Sequence, residues 1–358
     1  MNPMAIDRRT FLRGLAAGCL AVSLPARAGA APLAVLSAWS LSRNEHRAGS
    51  PDGQRAVPLA QRGHHIEPDP RRRGRAWVFA RRPGREIQRI DWQRGRTLAR
   101  FDYPENRHGF GHGVFAHGQL YTTDSDIDTG HGLIAVRDPD TLQVRREFPS
   151  AGIGPHQLLA CADGGLLVAN GGILTLPESG RIKLNRHSMQ PDLCLLDPAS
   201  GQLRGRWTLP DAQLSIRHLA DAGDGWYGVA LQAENLDHGL PLAAVWHADH
   251  GLTLLRAPEA IEAACLGYAA SIAACGPLLA ITATRGQRVL FWRRDGEYLG
   301  EFVTPRPAGI AATPNQDAWV VSNEHGELHW LDARTREADP ARGRSLPVMW
   351  DNHLVVVS

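Results

Sequence analysis

Short apolar runs recur along almost the whole chain, each closed by Gly, Asp, Asn or Pro. Examples are "AWVFARRPG", "GLLVANGG", "DLCLLDPASG", "LLAITATRGQ", "VLFWRRDG" and "AWVVSNEHG". Runs of this length, rich in β-branched and aromatic residues and bounded by turn formers, predict antiparallel strands. Sustained helical periodicity is absent after the N-terminal segment, except around residues 258–265. The strands come in sets, opening at "GHHIEPDP", "GHGVFAHGQ", "GPHQLLACADG", "SIRHLADAGDG", "AASIAACGP" and "PAGIAATPNQ". With His64, His112, His156, His218, Ser271 and Gly309 as markers, the spacings are 48, 44, 62, 53 and 38 residues. Four strands per recurrence of this length predict the blades of a β-propeller. Third strands end in Asp138-Pro139, Asp197-Pro198 and Asp332-Ala333, as a recurring turn requires.

The ends of the sequence complete the pattern. "DNHLVVVS" resembles an opening strand alone, whereas "PLAVLSAWS" and "QRAVPLA" resemble later strands that lack one. Joined, they form one more blade and remove the exposed sheet edge. The expected fold is therefore all-β: a β-propeller of seven four-stranded blades, closed by N- and C-terminal strands, over residues 33–358. Six or eight blades are the alternatives.

Charge and composition narrow the setting. "DRRTFLRGLAAGCLAVSLPARAGAAP" has a twin-arginine pair, Arg8-Arg9, before a modest apolar run and a small-residue site at Ala26-Arg27-Ala28. This reads as a Tat-type signal over residues 1–28, removed on export to the periplasm. Cys19 in "LAAGC" resembles a lipidation box, but the apolar stretch before it is short, so cleavage after Ala28 or Ala30 is preferred. No later apolar run has membrane length, so no stable membrane insertion is expected. The full chain has 39 basic and 37 acidic residues; without residues 1–28 it has 35 and 36. That balance gives no reason to expect nucleic acid. Cys161, Cys194, Cys265 and Cys275 show no metal-finger spacing. A Cys265–Cys275 disulfide and four buried thiols are equal alternatives.

Aligning the opening strands gives the sharpest candidate site. His64, His112, His156, His218 and His353 fall at one position, each followed two residues later by Ile66, Val114, Leu158, Ala220 or Val355. Opening strands line a propeller's channel, so equivalent positions lie on a ring. Five imidazoles there could ligate one iron, copper or zinc ion. Alternatively, each histidine hydrogen-bonds a neighbouring blade's backbone and ties the inner strands together. Ser271 and Gly309 leave the ring open on one side, and Arg217 beside His218 offers positive charge suited to an anionic ligand.

Other features are weaker. "DSDIDTG" resembles a calcium loop, but its glycine is one position late and Ala135 stands where glutamate is needed, so a hairpin turn is preferred. "FARRPG" is read as a solvated turn rather than a basic rim. The segment 169–185 is longer than a hairpin needs, which fits either a functional loop or a surface excursion. No nucleophile–base motif, P-loop or dinucleotide fingerprint occurs.

Taken together, "VFARRPG", "GHGVF…LYTTDSD", "GIGPHQL", "VANGGI…SGRIKLN…M…PDL" and "SIRHLA" resemble domain-of-unknown-function family 1513 across essentially the whole exported chain. The resemblance implies a periplasmic, propeller-like protein associated with imelysin-type and di-haem partners, near iron or haem handling. It also implies a histidine where this chain has Leu176, which argues against a ligand from that loop. The expected function is a binding protein in metal or haem acquisition. The alternatives are a metal-dependent oxidoreductase or hydrolase using the funnel, and a scaffold for those partners.

Overall fold

The computed structural model describes residues 33–51, 55–179, 182–236 and 240–358. The expected signal, residues 1–28, and Cys19 lie outside them. The described residues form seven four-stranded antiparallel sheets. Numbered by chain order, blades 1 to 6 open with Gly63–Pro68, Arg107–Ala116, Pro155–Ala160, Leu214–Asp221, Ser271–Cys275 and Pro307–Ala312. Blade 7 opens with Met349–Val357, which pairs with Ala34–Ser40, followed by His46–Gly49 and Val57–Leu59. The expected closure by both ends of the chain is therefore present. Each opening strand packs against those of the blades before and after it, and Met349–Val357 meets Gly63–Pro68 to close the ring.

Strand burial follows radial position. Inner and middle strands are almost wholly apolar or buried, as in Leu166–Asn170 and Asp192–Leu196. Outer strands such as Arg96–Asp102 and Leu203–Thr208 are largely exposed. Apolar clusters fill the gaps between successive blades: Trp77, Phe79 and Ile87 meet Leu120 and Leu142, and Phe291 meets Trp319. Burying one such aliphatic or aromatic side chain contributes about 1.5–3 kcal/mol. Trp77 Nε1 also donates to Pro139 O of the next blade at 2.8 Å.

The recurring turns have the expected chemistry. Asp138 Oδ1 accepts from the Asp140 and Thr141 amides at 2.9 and 2.7 Å, and Asp332 Oδ1 from Arg334 and Thr335 at 2.8 Å each. Asp197 does the same with Ala199 and Ser200. Irregular spacing between markers has local causes. Blade 3 carries a long excursion between Leu166–Asn170 and Asp192–Leu196, and helix α1 (Glu259–Ala264) sits between blades 4 and 5.

Three readings of the sequence are settled here. The four cysteines are buried free thiols, without a Cys265–Cys275 bond. "DSDIDTG" is a strand end and turn rather than a calcium loop. Asp124 pairs with buried Arg137 at 2.6 Å, and Asp126 with Arg107 at 2.7 Å. Arg81 corrects the solvated-turn reading of "FARRPG": its side chain is mostly buried against Asp351.

Candidate metal centre

The aligned histidines owe their direction to irregularities in the inner strands. Pairing with the second strand shifts register between Gly63 and Ile66, Gly109 and Gly113, Pro155 and Gln157, Ile216 and His218, and Met349–Trp350 and Leu354. These shifts fall at His64, His112, His156, His218 and His353. An extra residue on one strand re-aims its side chains, a device often found beside functional sites. Blade 5, which carries Ser271, pairs regularly, whereas blade 6 has a shift of the same kind between Pro307 and Ile310, at Gly309. Gly111 allows close approach in blade 2. Its φ is +95°, and a Cβ there would lie 2.9 Å from His64 Cδ2.

All five rings converge. His64 lies 4.8 Å from His112 and 4.5 Å from His353, centroid to centroid, and His218 lies 4.6 Å from His156 and 4.5 Å from His353. Two triads, His64/His112/His156 and His112/His218/His353, each bring ligand nitrogens within 4.8 Å of one another, with His112 common to both. Zinc–imidazole bonds are about 2.0–2.1 Å, so nitrogens around a tetrahedral zinc stand about 3.4 Å apart, and ligands at the 4.8 Å limit would each close in by about 0.8 Å. His65 also packs on this cluster, 5.1 Å from His112.

Side chains, rather than the neighbouring backbone of the tie-strand reading, fix several rings. His64 Nδ1 is 2.6 Å from Asp351 Oδ1. Asp351 also accepts from Arg81 Nη1 at 3.0 Å and Arg62 Nε at 2.5 Å. The ionised carboxylate accepts, so His64 donates from Nδ1 and its Nε2 carries the lone pair. Gln157 Oε1 accepts from the Leu219 amide at 3.1 Å and lies 3.2 Å from His218 Nδ1, which leaves His218 Nε2 as the basic nitrogen. Ser271 Oγ stands 3.5 Å from His353 Nδ1. Neither nitrogen of His112 has a hydrogen-bond partner, nor has His156 Nδ1 or His353 Nε2, although all are buried. Buried polar atoms are normally satisfied, so these orphans fit a group that supplies the missing partner.

Burial keeps the imidazoles neutral. It pulls His64 down to about 4 against the upward pull of Asp351. Burial, then the neighbouring histidines, holds His112 and His353 well below the usual imidazole range. His156 and His218 are lowered by burial, by other ring histidines and by Arg217. Neutral imidazole is the metal-ligating form.

The space beside the cluster differs from the expected gap at Ser271 and Gly309. There the blade 7 strand fills the ring, since a Cβ on Gly309 would stand 3.1 Å from the His353 carbonyl carbon. A cavity of 110 Å³ instead adjoins His64, His156 and His218, bounded by Arg81, Arg82, Lys183 and Arg217 together with Gln232, Tyr268 and Asn352. Arg217, the sequence's candidate for an anionic ligand, lines this cavity. Lys183 comes from the long blade 3 excursion and forms an ion pair with Glu234, so that segment reaches the site through its lysine. Sequence reasoning missed Asp351, Gln157 and Lys183. Asp351, two residues before His353, was the one with a visible cue.

The fold and site define a class: a seven-bladed propeller with a buried polyhistidine cluster in its channel. The chain belongs to the family described as "Protein of unknown function (DUF1513)", whose profile matches residues 57–357. Similar solved structures include Kuenenia stuttgartiensis hydrazine synthase, with 11% identity, a TM-score of 0.59, and coverage of 85% of this chain and 90% of that one. AztD from Citrobacter koseri, in its apo form, gives 9%, 0.55, 91% and 98%. BamB from Moraxella catarrhalis gives 12%, 0.51, 88% and 92%. At these identities the likeness establishes the fold alone. No curated protein matches the sequence. Among the described residues, no helix is long and apolar enough to cross a membrane.

Proposed function

We propose that this protein is an exported, non-catalytic propeller that binds one transition-metal ion at the five-histidine cluster and serves periplasmic metal acquisition. The observation that carries the reading is His112. It is buried, neutral, shared by both triads, and has no hydrogen-bond partner at either ring nitrogen. An all-imidazole donor set suits copper, zinc or iron, and softer thiolate ligands are absent from the cluster. Asp351 and Gln157 support the assignment by orienting His64 and His218 with Nε2 available. The adjoining 110 Å³ is small beside a porphyrin, which favours an ion or a small complex over haem. Within acquisition, we place the protein beside the imelysin-type or di-haem partners that its family resemblance implies, as a donor or acceptor of the ion.

Metal analysis of protein isolated from the periplasm tests the reading, followed by titration of the stripped protein with Fe²⁺, Cu²⁺ and Zn²⁺. One tightly bound equivalent is expected, lost in His112→Ala with the fold intact by circular dichroism. Protein that carries none of the three metals and takes none up would overturn it.

A further inference from the structure

The closing seam of the ring holds a second cavity, of 360 Å³, that the histidine site does not use. Blade 7 lines it with Ser40, Arg43, His46 and Trp350, while Arg62 comes from the entry to blade 1 and Glu324 from the end of Ala318–Asn323 in blade 6. Its wall is rich in donors. The Arg43 side chain is exposed and has neither an ion pair nor a hydrogen bond among the described residues. Trp350 is 1% exposed, and its indole Nε1 has no hydrogen-bond partner. An indole N–H can only donate, so a buried one calls for an acceptor. Arg62 gives Nε to Asp351 at 2.5 Å, and its two Nη atoms have no hydrogen-bond partner among the described residues. Ser40 Oγ stands 2.8 Å from His46 Nδ1, which fixes that ring and leaves Nε2 as its second polar atom. The carboxylate among the lining residues, Glu324, is ion-paired with Arg306. Met349 adds an apolar side. Guanidinium groups present paired donors that match carboxylates, and two of them from different blades suit a ligand with two such groups. Pockets for small ligands span about 300–1,000 Å³, so 360 Å³ has the size for a small organic molecule. An inorganic oxyanion would leave most of it unfilled.

We propose that this seam cavity binds a small dicarboxylic acid. Arg43 and Arg62 take the two carboxylates, Trp350 Nε1 and the Ser40–His46 pair donate to the remaining oxygens, and Met349 packs on the carbon chain. The site stands apart from the metal reading, since none of Arg43, His46 and Trp350 belongs to the histidine cluster. Arg62 is the link between the two, through Asp351. Binding makes and breaks no covalent bond.

Calorimetric titration of the metal-free exported chain tests the site, with dicarboxylates from succinate to adipate as ligands and the matching diamides and sulfate as controls. One equivalent of at least one dicarboxylate is expected to bind. The diamides should give no binding, and sulfate should bind at least tenfold more weakly. Arg43→Gln should weaken the dicarboxylate at least tenfold. Its melting temperature and Zn²⁺ uptake should match wild type, because Arg43 touches neither the core nor the histidines. Trp350→Phe keeps the aromatic packing and removes the N–H, and should weaken binding about threefold to tenfold. If that variant does not fold, Arg43→Gln carries the test alone. Folded wild-type protein that binds no dicarboxylate, or binding that Arg43→Gln leaves unchanged, overturns the site. Sulfate or diamide bound as tightly as the dicarboxylate overturns the assignment of ligand class. Zn²⁺ uptake reports on the metal centre separately, so either reading can fail without the other.

Discussion

Asp351 offers the most direct test of how the channel is held together. Its side chain is 1% exposed and meets three partners at 2.5–3.0 Å: His64, Arg81 and Arg62. Its Oδ1 also accepts the Asn352 amide at 2.7 Å. Burial pushes its carboxyl up, but Arg81, His64 and Arg62 together outweigh burial and hold it well below the usual carboxylate range. Asp351→Ala removes the counter-charge and strands Arg81, which is itself largely buried. Breaking a buried pair from one side costs about 3–5 kcal/mol. Against a total stability of about 5–15 kcal/mol, that is a large loss. Asp351→Asn keeps one acceptor oxygen and should lose less, about 1.5–3 kcal/mol, the value of hydrogen bonds to charged groups. Adding Arg81→Met to Asp351→Ala should recover part of the loss, because no buried charge is then left alone. Urea unfolding followed by tryptophan fluorescence measures all three. In the Asn variant, metal affinity should also drop about 10–100-fold, since His64 loses the carboxylate that fixes its tautomer. A loss below about 1 kcal/mol in Asp351→Ala would refute the account of a buried, charge-bearing network.

Acid should weaken the metal-free protein. His64 and His65 are lowered to about 4 and about 3, burial being the main cause, so the unfolded chain binds their protons first. Stability is then intact above about pH 6.5 and falls by about 1.4 kcal/mol per pH unit for each such imidazole as pH drops from there towards 4. Denaturant midpoints that stay flat from pH 7 to pH 5 would contradict this. Arg137→Ala should cost about 3–5 kcal/mol by leaving Asp124 buried without its cation, read by thermal melting against Arg145→Ala on the surface. Gly111→Ala combines a left-handed φ with a contact at 2.9 Å on His64, and should lose about 1–3 kcal/mol together with metal affinity. Cys161, Cys194, Cys265 and Cys275 should react with a thiol reagent only after unfolding, since burial raises each thiol to about 11 or 12. A Cys265–Cys275 cross-linked peptide in the mass spectrum would contradict the free-thiol state.

Blade count, blade order and closure were legible because each depends on local, repeated information. Apolar runs set the strands, aspartate-led turns set their spacing, and the unmatched strands at the two ends implied one another. The five histidines were legible for the same reason, since equivalent positions in a closed repeat must face one axis. Residues whose role depends on a partner far along the chain were not. Asp351 meets Arg62, His64 and Arg81 only across the closing seam between blades 7 and 1. Lys183 reaches Glu234 only after a non-repeating excursion crosses to the next blade. The strand irregularities that aim the histidines are likewise invisible, because a register shift is a property of two paired strands. The sequence by itself determined the architecture and the ring of candidate ligands, through short-range pattern and repetition. Only the tertiary structure decided which nitrogens are left without partners, where the cavity opens and how charge gathers around it, because burial and long-range pairing exist only once the ring has closed.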